Sequence, residues 1–154
     1  MRYNKFMREI RFEKLEENIK SDLLAAEAAA KRAFPRSRDV RIGAVVIADG
    51  KRFEGANVVK ERFVGSTCAE RMALDQALFA GVKKIERMVI IGKNDELPFE
   101  EVASPCGNCR QMLVDVLADL RQEDLEIILS NSDKSKIMVT SVKELLPLAY
   151  RSSR

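Results

Sequence analysis

The chain has 154 residues, 46% hydrophobic and 33% charged, with a net charge of +3 and no histidine. Those figures fit one domain with a sizeable core and exclude a disordered chain, and no apolar run nears the roughly 18–20 residues of a membrane-spanning helix. Acidic and basic residues are interleaved, so the concentrated basic face that nucleic acid requires is not expected.

The first twenty residues, MRYNKFMREIRFEKLEENIK, carry charge throughout and lack the apolar block of a secretory signal. A cytoplasmic protein with reduced thiols is therefore expected. Residues 5–33 follow a helical pattern, with Phe6, Ile10, Leu15, Ile19 and Leu23 apolar, ahead of the helix-forming run LLAAEAAAKRAF. Ser21-Asp22 predicts a cap and a break near residue 20, and Pro35 ends the pattern. The basic stretch KRAFPRSRDVR, residues 31–41, reads as a solvated loop after the helix. RIGAVVIA and KRFEGANVV are β-rich runs around ADGK, where Asp49-Gly50 is a hairpin signal. Residues 67–80 predict a helix with Gly81 beyond its end. RMVIIG predicts a strand covered on both faces, followed by a polar loop, KNDELPFEEVA. After Pro105, CGNCRQMLVDVLADL reads as helix, LEIILS and KIMVTS as strands, and VKELLPLAY as a short terminal helix. Strands alternating with helices predict an α/β fold, a five-stranded mixed sheet in a three-layer α/β/α sandwich. The expected division is a helical extension over 1–20, packed at a subunit edge, and a domain over 21–154.

The chain holds three cysteines, in STCAER and SPCGNCRQ. A structural zinc site is closed by four Cys or His ligands, and here Cys68, Cys106 and Cys109 leave a fourth position open, as catalytic zinc sites do. A buried thiol at Cys68, or a redox pair at Cys106 and Cys109, are the alternatives. Two features weigh against them. Glu70 follows Cys68 by two residues at a predicted helix start. Pro105-Cys106-Gly107-Asn108-Cys109 matches the P-C-x-x-C half of the zinc deaminase signature, whose other half is a ligand followed two residues later by Glu. Each half is weak alone; together they use every cysteine in the chain.

With these motifs the chain resembles the cytidine deaminase family in its small form with three cysteine ligands, over about residues 22–150. IGAVVIADGKRFEGANVV is similar to the family's hairpin, TCAER and SPCGNCRQ to its metal motifs, and VKELLPLAY to its tail. The resemblance implies a three-layer α/β/α fold, one zinc per chain on Cys68, Cys106 and Cys109, and Glu70 as general acid/base. It implies that Arg71 donates to the zinc thiolates and so draws charge off the sulfurs. It also implies a homotetramer, or a dimer, with active sites shared between subunits.

Asn57 matches the family's ribose-binding residue, and Val59, Ala69, Ser104, Val40 and Tyr150 stand at the other substrate-contact positions. Three of these depart from the family. Val59 stands where cytidine deaminases carry a Glu that holds the ribose hydroxyl, and valine accepts no hydrogen bond. Val40 aligns with a Phe that packs near the base. Tyr150 stands where cytidine deaminases usually carry Phe and the related blasticidin S deaminases carry Tyr. The expected activity is zinc-dependent hydrolytic deamination of cytidine, deoxycytidine or a close analogue, as in pyrimidine salvage. The alternative is a deaminase of a nucleoside antibiotic or other non-ribosyl heterocycle. A third reading is a zinc-stabilised binding module without turnover, disfavoured by the open ligand position. The expected partner is a small nucleoside-like molecule, with neither nucleic acid nor membrane.

Overall fold

The computed structural model describes residues 7–35, 40–93 and 100–151, without the side chains of Phe63 and Lys93. Phe6, the middle of the basic stretch and most of the polar loop after RMVIIG lie outside the described residues. The elements in chain order are β1 (Arg8–Ile10), α1 (Glu17–Lys31), β2 (Arg41–Ala48), β3 (Lys51–Ala56), α2 (Ala69–Phe79), β4 (Ile85–Lys93), α3 (Gly107–Asp119), β5 (Glu126–Ser130), β6 (Ile137–Ser141) and α4 (Val142–Leu145). Short 3-10 turns occupy Phe12–Lys14 and Phe63–Gly65.

Among the described residues the sheet has six strands in the order β1-β6-β5-β4-β2-β3, mixed, with β4 and β5 parallel and the other pairs antiparallel. Alternation along each strand builds two cores. Val46, Met88, Ile90 and Ile127 face one core, which Leu74 of α2 and Leu113 of α3 close. Val45, Val89, Ile91 and Ile128 face the other, with Leu23 and Ala26 of α1 over them. This is the expected α/β/α sandwich. The β2–β3 hairpin turns at Asp49 and Gly50, both at positive φ, as the Asp-Gly pair predicts.

Two expectations are corrected. The sixth strand comes from the segment read as a helical extension: Arg8–Ile10 pairs with β6, Arg8 opposite Val139 and Ile10 opposite Ile137. The edge of β6 offers unpaired backbone groups, and satisfying them outweighs a weak local helical pattern. Nor does the helix break near residue 20. α1 runs unbroken from Glu17 to Lys31, and Asp22 points inward rather than capping. Buried at 2% exposure, its carboxylate accepts from Arg52 Nη2 of β3 at 2.6 Å and pairs with Arg87 Nη2 of β4 at 2.8 Å. A carboxylate matched by two guanidinium groups is tolerable in that interior. No helix among the described residues is long and apolar enough to cross a membrane.

Candidate active site

Small residues set α2 against the sheet. Ala69, Ala73 and Ala77 recur every four residues, on one helix face, and all are buried. They meet Gly55 of β3, where a Cβ would fall 2.2 Å from the Ala69 carbonyl oxygen and 2.6 Å from the Ala73 nitrogen. That approach places the start of α2 beside β3. The chain before it is held by paired backbone bonds between Val58 and Thr67, at 3.0 and 2.9 Å.

Cys68 is the N-cap of α2 and Cys106 the N-cap of α3, both in extended conformation with no side-chain capping bond. Cys109 lies in the first turn of α3 and is buried. The helix N-termini present free N–H groups and positive dipole ends, which favour thiolates. The loop before α3 is held by Arg110, whose Nε donates to the Pro105 carbonyl at 2.8 Å, Nη2 to Ser104 Oγ at 2.9 Å and Nη1 to the Leu145 carbonyl at 2.9 Å. Sequence reading missed Arg110 because its role depends on carbonyls brought together only by the fold.

The three sulfurs lie within 4.8 Å of one another. Tetrahedral Zn–S bonds of about 2.3 Å require sulfurs roughly 3.8 Å apart, so the triad fits the ion. Its protonation fits as well. Cys68 is lowered to about 6, first by a hydrogen bond from Cys109, then by Cys106 and the cation of Arg71, against the opposing effect of burial. Cys109 is pushed up, chiefly because it keeps the proton it shares with Cys68, and then by burial. Three thiols competing for protons at one point form a donor set suited to a thiophilic dication, whose binding displaces those protons.

Glu70 stands in the first turn of α2 at 5% exposure. Burial, with the Cys68 sulfur as a smaller contributor, raises its carboxyl to about 7. A carboxyl poised near neutrality, beside the three sulfurs and not one of them, can accept and return a proton.

Glu70, Cys68 and Cys106 face a cavity of about 910 Å³. Val40, Asn57, Val59, Ala69, Arg71 and Ser104 line it too, so the fold brings these sequence candidates together. Tyr150 does not join them. Its backbone N–H and carbonyl are bonded to Gln111 of α3, at 3.1 and 2.8 Å, and its side chain is exposed outside the cavity lining. Asn57 is committed to the protein: its Oδ1 accepts from Ile42 N at 2.7 Å and its Nδ2 donates to the Val40 carbonyl at 2.8 Å. Val64, Ile90 and Glu101 also line the cavity and carry no sequence signal, since each comes from a separate segment.

A sequence profile for the cytidine and deoxycytidylate deaminase zinc-binding region matches residues 17–119. The chain belongs to this family. As a cytidine and deoxycytidylate deaminase family member it is a zinc-dependent hydrolytic deaminase, with Cys68, Cys106 and Cys109 able to hold one zinc. It is 28% identical over 134 residues to a cytidine deaminase of Sporosarcina psychrophila, covering 86% of this chain and 91% of that one. It is 31% identical over 132 residues to a cytidine deaminase of Halalkalibacterium halodurans, covering 86% and 90%. The crystal structure of cytidine deaminase from Burkholderia pseudomallei superposes with a TM-score of 0.73 at 32% identity, covering 88% of this chain and 100% of that chain.

Proposed function

We propose that this deaminase hydrolyses the exocyclic C–N bond of a cytidine-type nucleoside, giving the uridine-type product and ammonia. The observation that carries the reading is the cluster of three thiols, two of which face one cavity together with the buried carboxyl of Glu70. The relatives named cytidine deaminases support the substrate class.

Cys68, Cys106 and Cys109 would hold the zinc ion, which would supply the Lewis acidity that makes water nucleophilic near neutral pH. Glu70 takes a proton from the attacking water and delivers it to the ring nitrogen, then moves the second proton to the departing amine. A C–O bond replaces the C–N bond, one water is consumed, and no electrons are transferred. The carboxyl's position near 7 suits it to both halves of that relay. Arg71, whose cation lowers Cys68, offsets the negative charge of the thiolates. In this reading the enzyme serves pyrimidine salvage in the cytoplasm and assembles as a homotetramer or dimer with shared active sites. The exposed Phe79, Leu148 and Tyr150 support association.

The test is ammonia release from cytidine, deoxycytidine, cytosine and blasticidin S by zinc-loaded protein. Turnover of the cytidine-type nucleosides is expected. Glu70→Gln should retain about one zinc per chain and lose roughly 10²–10⁴-fold in kcat. Full turnover by metal-free protein, or by Glu70→Gln, overturns the mechanism.

A further inference from the structure

Cys106 joins the thiol cluster where the chain enters α3, and the usual helix-end restraints are weak there. Its side chain makes no capping bond. The ideal Cβ position of Gly107 has nothing among the described residues within 4 Å, so packing does not hold that side of the turn. Arg110 supplies the restraint instead. Its backbone N–H donates to the Cys106 carbonyl at 3.0 Å, and its Nε donates to the Pro105 carbonyl at 2.8 Å. The two peptide groups that flank Cys106 are therefore fixed by one residue, and with them the direction of the Cα–Cβ bond that carries the thiol.

The rest of the guanidinium reaches outside α3. Nη1 donates to the Leu145 carbonyl and Nη2 to Ser104 Oγ, both at 2.9 Å. Leu145 ends α4, so its carbonyl has no partner further along the helix, and Arg110 provides one. Val142 and Leu145 are buried in the same core as Leu113 of α3, which makes α4 a fixed point to tie to. Ser104 lines the cavity that Glu70 faces, and an oxygen that accepts from Arg110 has its own hydrogen directed elsewhere. These side-chain bonds go to two carbonyls and a hydroxyl, none to a sulfur. They use three directed N–H groups of a planar fork, which the single ammonium of lysine cannot reproduce.

We infer that Arg110 is a positioning residue of the metal site. By tying the peptide before Cys106 to the end of α4 it keeps that thiol in register with the other two, and by orienting Ser104 it sets one polar group of the cavity. The inference rests on the zinc deaminase reading above, and its main readout, metal release, needs no substrate.

The experiment follows zinc release from zinc-loaded full-length protein into an excess of a chromogenic chelator. Wild type is compared with Arg110→Lys, Arg110→Gln and Ile128→Val, each at the same interval below its own melting temperature. Ile128 lies in the core on the α1 side of the sheet and reports a general loss of packing. Both Arg110 variants should release zinc about 10–100-fold faster than wild type, and Ile128→Val at the wild-type rate. Arg110→Lys keeps the charge and the aliphatic stem, so it tests the fork in a folded protein. Release from Arg110→Lys at the wild-type rate would assign the effect to charge and overturn the inference, as would equal acceleration in Ile128→Val. With cytidine as substrate, Ser104→Ala should cost less in kcat/KM on the Arg110→Lys background than on wild type, because the two groups act as a pair. Strict additivity would remove Ser104 from the inference. If wild type releases no ammonia from cytidine, the substrate reading fails and zinc release alone decides the role of Arg110.

Discussion

Glu70 shows how one residue's surroundings set its chemistry. Its carboxyl sits at about 7 rather than 4.5, and burial is the leading cause. A folded-state value above the unfolded one means that the protonated form favours folding. That contribution is complete below about 4.5 and is lost as pH rises through about 7. In metal-free protein, Glu70→Gln should therefore be more stable than wild type at pH 8, by on the order of 3 kcal/mol. The gap should close toward pH 4.5, where the wild-type carboxyl is neutral. Denaturant unfolding at the two pH values checks the sign. Equal stability at pH 8 would show that Glu70 is not held in a costly charged state there. The same substitution thus separates the carboxyl's stability cost from its catalytic use.

At the scale of elements, the positions of α1 and α2 are set by missing side chains. Gly43 on β2 meets α1, where a Cβ would fall 1.8 Å from the Ala26 carbonyl oxygen, and Gly55 meets α2. Both obstacles are backbone and have no flexible end to swing away. Gly55→Ala should push the start of α2 from the sheet and cost about 1–3 kcal/mol or more. Because Cys68 and Glu70 open that helix, zinc affinity should fall with stability. Gly107, between two of the thiols, has nothing among the described residues within 4 Å of its ideal Cβ position. Gly107→Ala should stay within about 0.5 kcal/mol of wild type and keep its zinc. Melting temperature and zinc content, measured together on both variants, check the contrast. A Gly55→Ala protein with unchanged zinc content would break the link between the β3–α2 contact and the metal site.

For the whole molecule, the sheet's β6 edge is covered by β1, while large apolar side chains remain exposed at Phe34, Phe79, Leu148 and Tyr150. Burying them between copies removes apolar surface from water without disturbing the sheet. Light scattering should then give a mass about two or four times the chain's 17.4 kDa at micromolar concentration. A stable monomer with full activity would remove the assembly from the proposed function. Association would also explain why Tyr150, a sequence candidate for substrate contact, lies outside the cavity of its own chain.

What the residues determine alone is whatever depends on local pattern and a short chemical code. β-rich and continuous apolar runs placed β2 to β6, and helical periodicity with helix-forming residues placed α1 to α4, because each element must bury apolar side chains whatever its neighbours do. The two cysteine motifs, in a chain without histidine, marked the three thiols that the fold brings together and pointed to Glu70 as the proposed proton carrier, because ligand chemistry tolerates few substitutes. Everything that depends on distant partners was decided by tertiary structure. Residues 8–10 became a strand because β6 had an open edge, and Asp22 turned inward because Arg52 and Arg87 arrived from two strands. Val40, Val59 and Val64 came to line one cavity, and the Asn57 amide was taken up by the backbone of Val40 and Ile42. The physical reason is range. Propensity and ligand spacing act within a few residues, while burial, pairing and specificity are fixed by which surfaces the folded chain brings into contact.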